Sequence, residues 1–142
     1  MKKALFFIVL FFGISLASLN AQVYSYYTTD VCYASADSTG TWGAWGEWIE
    51  DDTDITIDIE NSEITFYDYW LDLEYVYYID SHTEEKTDED GDLVTEYSCT
   101  DENFDSFTIK LMKRLSSEDK RTEIYVYGDT NAEAYIVEEN EY

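Results

Sequence analysis

Apolar and polar residues alternate along most of this chain with a period of two, which is typical of half-buried β-strands. In the segment DITIDIE, Ile55, Ile57 and Ile59 share one face, and the polar residues between them point away from it. The same alternation recurs in VYSYYTTDVCY, EITFYD, LDLEYVYYID, LVTEYSCT, FTIKLMK, TEIYVYG and AEAYIVEE. The pattern therefore predicts about eight strands of ordinary length.

Short polar segments connect these strands, and none of them has the length or the 3.6-residue period of a long helix. Asn61 and Ser62 are turn residues between two alternating segments, and the letters DGD at 90–92 mark another turn. Every connection resembles a hairpin, which favours sequential antiparallel strands in a meander. We predict an all-β domain closed into a small barrel, with a β-sandwich as the alternative.

Three tryptophans, Trp42, Trp45 and Trp48, stand at three-residue spacing in GTWGAWGEWIEDD, residues 40–52. In a regular strand, residues three apart point to opposite faces, so Trp45 is expected to oppose the other two. We predict that Trp45 and Trp48 close the core at a strand start and that Trp42 lies nearer the surface. The spacing resembles thrombospondin type-1 repeats, but this segment has no arginine and the CSxTCG-like segment is missing. That family is therefore excluded.

A different resemblance covers most of the chain. Its pieces are a W-x-x-W segment, an alternating isoleucine strand, an I-x-F-Y strand, a D-x-x-G turn, a Cys-x-Asp segment and a late I-Y-V strand. The matching residues are Trp45 and Trp48, with 55–59, 64–67, 88–91, 99–101 and 124–126. In these segments the chain resembles small secreted Bacteroidota proteins of unknown function. The resemblance implies a small secreted β domain and carries no known activity, so it transfers no functional residue.

The first residues have the pattern of a secretory signal peptide. Lys2 and Lys3 precede an apolar run at 4–16, which is too short to span a bilayer, and small residues follow it. The ending NAQ resembles the cleavage sites of Bacteroidota, so we place the cut after Ala21, with Ala17 as the alternative. We expect a signal peptide at 1–21, a single β domain at 22–142, no transmembrane segment, and a periplasmic or extracellular location.

Acidic residues dominate the composition: the chain has 32 aspartates and glutamates and only 8 lysines and arginines, which gives a net charge of −24. Loss of the leader, with its two lysines and no acid, changes the charge from −24 to −26. Such a surface repels nucleic acids and anionic lipids, and it attracts cationic proteins, peptides and divalent ions. Its simplest consequence is solubility. The 14 tyrosines and 4 tryptophans argue against disorder.

Two cysteines, Cys32 and Cys99, are the candidates for a disulfide. An even count in an exported protein favours pairing, and the long loop they would close makes the bond worth roughly 4 kcal/mol in the chain-entropy model. The alternative is that both are buried thiols that pack as small apolar residues. We predict the disulfide.

Metal and catalytic motifs are absent from the sequence. The segment 87–97 has acids spaced as in part of a calcium-binding loop. The motif also needs an acid two residues before Asp88, where Lys86 stands, and another at the position of Tyr97, so a hairpin turn is expected there instead. His82 is the one histidine, which makes a zinc site or a nucleophilic triad a poor hypothesis. Asp68 and Asp72 are the most plausible acid–base pair, but two solvated acids at a bend are the simpler interpretation. No metal, cofactor or catalytic residue is predicted.

Aromatic rings beside acids are typical of sites for sugars and apolar ligands. Trp42, Trp70, Tyr75 and Tyr77 are the candidates for rings that face a ligand, and the alternative is that such rings fill the core. We predict a non-enzymatic binding or envelope-associated module, with a cationic protein or a glycan as its partner. The alternatives are an inhibitor or scavenger of cationic proteins or peptides, and a carboxylate-dependent glycan-acting enzyme.

Overall fold

The computed structural model describes residues 22–140, so the predicted signal peptide lies outside the described residues. These residues form ten strands and no helix: β1 (Val23–Ser35), β2 (Ile49–Glu50), β3 (Thr53–Asp58), β4 (Glu63–Asp68), β5 (Leu73–His82), β6 (Lys86–Thr87), β7 (Leu93–Thr100), β8 (Ser106–Lys113), β9 (Thr122–Tyr127) and β10 (Asn131–Glu139). Between residues 22 and 140 there is accordingly no helical segment with the length and hydrophobicity that a bilayer crossing needs.

Eight of these strands close into an antiparallel barrel. Each pairs with the next in the order β1, β3, β4, β5, β7, β8, β9 and β10, and β10 pairs back onto β1. The two-residue strands β2 and β6 are additions to β1 and β7. Because neighbours in the barrel are also neighbours along the chain, the sheet is a meander. The prediction of an all-β barrel is confirmed, and the alternative sandwich is not formed.

The inward faces of the strands carry the apolar residues that the alternation predicts. Five isoleucines have no exposed surface: Ile55, Ile57, Ile64, Ile109 and Ile124. Burying each of these side chains contributes roughly 1.5–3 kcal/mol. Since a slip of one residue would turn a whole apolar face outward, these side chains also determine the register of their strands.

A bulge reverses the alternation within β1. The register of β1 against β10 shifts between Thr28 and Asp30. As a result Val31 points into the core, and Cys32 faces outward, opposite Ala134. The extra residue thus changes which side chains of the second half of β1 reach the interior.

The predicted disulfide between Cys32 and Cys99 is not formed, which corrects that expectation. Both cysteines are free and buried. Cys99 belongs to the core inside the barrel, while Cys32 lies on the outer face of β1. The barrel wall therefore separates the two sulfurs, and each cysteine packs as a small apolar residue.

Three hairpin turns share one hydrogen-bond pattern, at 37–41, 88–92 and 101–105. In each, the side chain of the first aspartate accepts from the backbone amides of the third and fifth residues. The fourth residue has a positive φ, which is 79° at Gly40, 88° at Gly91 and 66° at Phe104. Within the segment 87–97, residues 88–92 thus form the predicted hairpin turn, and it joins β6 to β7.

The hairpins distribute the loops between the two ends of the barrel. One end carries the turns at 36–41, 69–72, 101–105 and 128–130, and the other carries the connections at 59–62, 83–92 and 114–121. Among the described residues, the lysines and arginines are Lys86, Lys110, Lys113, Arg114, Lys120 and Arg121. Lys110 lies on the outer face of β8, and the other five belong to the second end. We call the first end the cation-free end and the second the cation-bearing end.

Candidate binding site at the barrel mouth

A cavity of about 180 Å³ opens at the cation-free end, and we call it the mouth. It is lined by Tyr33, Asp51, Thr53, Phe66, Asp68, Leu71, Tyr75, Tyr77, Glu133 and Tyr135. These residues come from β1, β3, β4, β5, β10 and the loops between them, which the closure of the barrel brings together. The lining combines aromatic rings with carboxylates and includes no lysine or arginine, so it suits a ligand with an apolar part and a positive charge.

Aromatic rings pack against one another at the base of the mouth. Phe66 lies with its ring centre 5.5 Å from that of Tyr77 and 5.5 Å from that of Tyr135. Tyr77 in turn meets Phe107 edge to face at 5.0 Å. Such contacts hold rings in place beyond the effect of burial alone. The base of the mouth is therefore a preformed apolar surface.

Glu133 is the carboxylate that is hydrogen-bonded to this aromatic base. It accepts a hydrogen bond of 2.5 Å from the hydroxyl of Tyr135, which faces the same side of β10. Burial, and then the charge of Glu133, raises the pKa of Tyr135 well above its ordinary value, and burial does the same to the pKa of Tyr77. Both phenols are therefore neutral at physiological pH and serve as hydrogen-bond donors and acceptors.

Two further carboxylates stand at the edge of the mouth, and each is held by hydrogen bonds. Asp51 accepts from the Thr28 hydroxyl at 2.6 Å, and that hydroxyl accepts from the backbone amide of Thr53 at 2.8 Å. Asp68 accepts from the backbone amides of Trp70 and Leu71, both at 2.9 Å. None of these partners carries a charge, so the mouth keeps its negative potential.

The rim of the mouth exposes large apolar side chains on the turn at 69–72. Trp70 and Leu71 are each 61 % exposed. Asp68 fixes this turn through the two amides named above, and Asp72, with a φ of 52°, accepts from the Tyr67 hydroxyl. The two acids considered as a catalytic pair therefore hold the turn that presents Trp70.

Two of the four aromatic residues selected from the sequence line the mouth, and a third belongs to the turn at its rim. Tyr75 and Tyr77 line the mouth, and Trp70 stands on its rim. Sequence reasoning missed the other residues on which the site depends, which are Tyr33, Asp51, Phe66, Glu133 and Tyr135. The period-two pattern places Glu133 and Tyr135 on one face of a strand, but it carries no sign that this strand would meet β5 across the barrel.

Trp42 lies elsewhere, with the other two tryptophans, on the outer face of the barrel. The amides of Gly43 and Gly46 donate to the carbonyls of Ser35 and Tyr33, at 2.9 and 2.8 Å. Three residues of this segment thus cover the same length as two residues of β1. Because of this, the side chains of every third residue point in the same direction.

All three tryptophans consequently cover one row of side chains. Trp42 meets Tyr127 and Trp45 meets Tyr125, each with ring centres 5.7 Å apart, and Trp48 lies 5.4 Å from the Arg121 guanidinium. The expectation that Trp45 would oppose the others is wrong, and so is the expectation that Trp45 and Trp48 close the core. They pack on the outer face of β9, because the glycines let the segment depart from strand geometry.

A wider groove of about 740 Å³ runs along the outer face beside Trp42, between β5, β7, β8 and β9. Its one lysine, Lys110, pairs with Glu96 at 3.4 Å and lies 5.7 Å from the ring centre of Tyr127. The charged groups of the groove are thus partly matched within the protein. The mouth, whose carboxylates meet no lysine or arginine of residues 22–140, is the stronger candidate.

Within the described part of the chain, no group of three or more histidine, cysteine or acidic side chains is arranged to hold a metal ion. His82 makes a hydrogen-bond contact of 3.1 Å between Nδ1 and the carbonyl of Thr83. Comparisons with protein-family models, with curated proteins and with solved structures found no match to this chain.

Proposed function

We propose that the protein is a secreted, non-enzymatic binding module that holds a positively charged, partly apolar group in the mouth of its barrel. The observation that carries this proposal is the composition of the mouth, in which aromatic rings form the base and Asp51, Asp68 and Glu133 supply negative charge without a neighbouring lysine or arginine. A cation above a tyrosine ring gains roughly 0.5–2 kcal/mol, and charge-assisted hydrogen bonds add to this.

The test uses phenethylammonium as the ligand, because it joins an aromatic ring to an ammonium group. Phenylacetate, which has a similar shape and the opposite charge, is the control ligand. We expect phenethylammonium to shift the NMR signals of Tyr77 and Tyr135 and to lose affinity as salt is added. Equal binding of phenylacetate, or shifts confined to other residues, would refute the proposal.

A matched pair of variants locates the charge that matters. Glu133→Gln keeps the shape of the side chain in the mouth, whereas Glu138→Gln makes the same change where the glutamate of β10 accepts from Tyr27. We expect Glu133→Gln to lower the affinity for phenethylammonium about tenfold, which corresponds to roughly 1.4 kcal/mol of binding free energy. We expect Glu138→Gln to leave this affinity unchanged.

Capture of cationic proteins or peptides is the second candidate, and the charge asymmetry between the ends of the barrel favours it. A cationic protein would approach the cation-free end, where rim residues such as Trp70 and Leu71 are exposed. The alternative of a glycan-acting enzyme gains no support from Asp68 and Asp72, because their oxygens hold the turn. Export and the resemblance to Bacteroidota proteins remain predictions. The first is tested by the intact mass of the exported protein, which should correspond to a chain that begins at Gln22.

A further inference from the structure

The wall of the barrel is incomplete on β5 at the cation-free end. β4 pairs with β5 from Leu73 to Tyr78. On its other side, β5 pairs with β7 only from Tyr78 to His82. Within residues 22–140, the stretch 73–77 thus has a strand partner on one side and none on the other, and such an edge is a ready template for an added strand.

The direction of the backbone groups identifies which amides face this edge. The amide of Ile79 donates to the carbonyl of Ser62, toward β4, at 2.8 Å. Backbone groups alternate in direction along a strand, so those of Tyr77 and Tyr75 also face β4. The amide and carbonyl groups of Val76 and Glu74 therefore point away from β4, toward the unpaired side.

A slot of about 130 Å³ borders this edge. It is lined by Glu74, Tyr75, Val76, Tyr77, Asp101, Glu102 and Asn103. The turn at 101–105 forms its other side, and Tyr75 and Tyr77 line both the slot and the mouth. A chain lying along β5 would consequently have a side chain within reach of the mouth.

The charge around the slot selects what can occupy it. Glu74, Asp101 and Glu102 are acidic, and the lining includes no lysine or arginine. A second copy of this protein would bring its own acids against these, which opposes pairing of two such edges. A segment with lysine or arginine side chains is instead attracted by these acids.

Phe104 adds an independent observation, because it follows the slot-lining Asn103 in the turn at 101–105. It holds the left-handed position of its turn, with a φ of 66°, where the two matching turns have Gly40 and Gly91. It is also 88 % exposed. A bulky residue in this conformation is strained, and strain of this kind concentrates where a protein binds something.

We infer that the free edge of β5 at 73–77 accepts an extended, cationic polypeptide segment as an added strand, with Phe104 contacting the segment from the turn opposite. The inference rests on the proposed function in one respect, because it assigns the cationic group in the mouth to a lysine or arginine of that segment. Backbone hydrogen bonds to Glu74 and Val76 provide affinity, and the acids around the slot provide selectivity.

The first experiment measures amide exchange in the intact protein. The probe is the capped peptide KVKVKV, and capped EVEVEV is the control. We expect KVKVKV to slow exchange at Glu74 and Val76, and EVEVEV to have no effect. Phenethylammonium should fill the mouth without slowing these amides, so failure of the peptide and failure of the small ligand are distinguishable. Unchanged exchange with bound KVKVKV overturns the inference, as does slowing that depends on protein concentration in the absence of peptide.

Two substitutions then test the edge and the opposite turn. Val76→Pro removes an edge amide, and Val76→Thr retains it. We expect the proline variant to bind KVKVKV at least tenfold more weakly, with phenethylammonium unaffected, and equal affinities of the two variants would contradict strand addition. Phe104→Gly covers the case in which the proline variant does not fold. It should raise the melting temperature and lower the affinity for the peptide. A raised melting temperature with unchanged peptide affinity would count against the contact at Phe104.

Discussion

The two ends of the barrel satisfy their carboxylates in different ways. At the cation-bearing end, Glu123 is 1 % exposed and forms a 2.5 Å ion pair with Arg121. Arg114 lies between Glu123 and Asp92, at 3.8 and 3.6 Å. Tyrosine hydroxyls and backbone amides also bind carboxylates at this end, as at Glu138 and Asp88, but at the cation-free end such hydrogen bonds act without an ion pair from residues 22–140. The first arrangement cancels charge, and the second hydrogen-bonds it without cancelling it.

Tyrosine is the donor that makes the second arrangement workable. The hydroxyls of Tyr67, Tyr69 and Tyr135 donate to Asp72, Asp54 and Glu133 respectively. A phenol satisfies an acceptor oxygen and leaves the negative charge in place. A chain with few cations can thereby keep one surface ordered and strongly acidic, which is what attraction of a cationic ligand requires.

Alkaline pH should abolish the contribution of tyrosine at both ends together, and it is the largest effect that we expect. Burial raises the pKa of Tyr97 to about 12 and raises the pKa values of Tyr26, Tyr77 and Tyr135 further. Because these folded-state values exceed the unfolded value of about 10, the stability they confer is complete below pH 10 and is lost as the pH rises through them.

Each such tyrosine then lowers the free energy of unfolding by about 1.4 kcal/mol for every pH unit above its pKa in the unfolded chain. By about pH 11 the four losses together approach the total stability of a small domain. We expect cooperative unfolding near that pH, followed by circular dichroism and tyrosinate absorbance. Tyrosinate formation in a barrel that remains folded would contradict this.

Removal of Arg121 tests the cation-bearing end. Arg121→Met leaves Glu123 buried with only the Tyr125 hydroxyl and the more distant Arg114, and it removes the contact with Trp48. Loss of one partner of a buried pair costs about 3–5 kcal/mol, and the partial exposure of Arg121 places the expected loss at about 3. Urea denaturation measures it. Lys120→Met, a change of the same charge next to it in the sequence, is the control and should have little effect.

The matching change at the cation-free end should cost less. Glu133→Gln leaves the Tyr135 hydroxyl a neutral acceptor, so we expect a loss of about 1 kcal/mol or less. Urea denaturation under the same conditions gives the comparison. A loss as large as that of Arg121→Met would mean that the two ends do not differ in the way described above.

The two matching turns at opposite ends provide the smallest and cleanest contrast. Phe104→Gly should stabilise the protein by about 1 kcal/mol, because it relieves a left-handed conformation. Gly91→Ala should destabilise it by a similar amount, since a Cβ there meets no atom within 4 Å and only the φ of 88° is unfavourable. Thermal unfolding of both variants measures the two shifts, and shifts of the same sign would show that the turns are not equivalent.

The candidate site was only partly accessible to sequence reasoning, and the reason lies in the chain separation of its parts. Tyr75 and Tyr77 stood out because they belong to one aromatic segment with Trp70. Tyr33 and Glu133 lie far from them in the sequence, and only barrel closure through the pairing of β1 with β10 brings them to the same cavity. No local pattern encodes that closure.

Local alternation was sufficient to determine the strands, their inward faces at Ile55, Ile57 and Ile64, and the hairpins between them. This is because burial of apolar side chains with a period of two acts on each strand separately. Two irregularities escaped it. The bulge after Thr28 turned Cys32 outward, and the glycines of the tryptophan segment aligned three rings against β9. Both depend on how a strand matches its neighbour residue by residue, and that match exists only once the tertiary structure has formed.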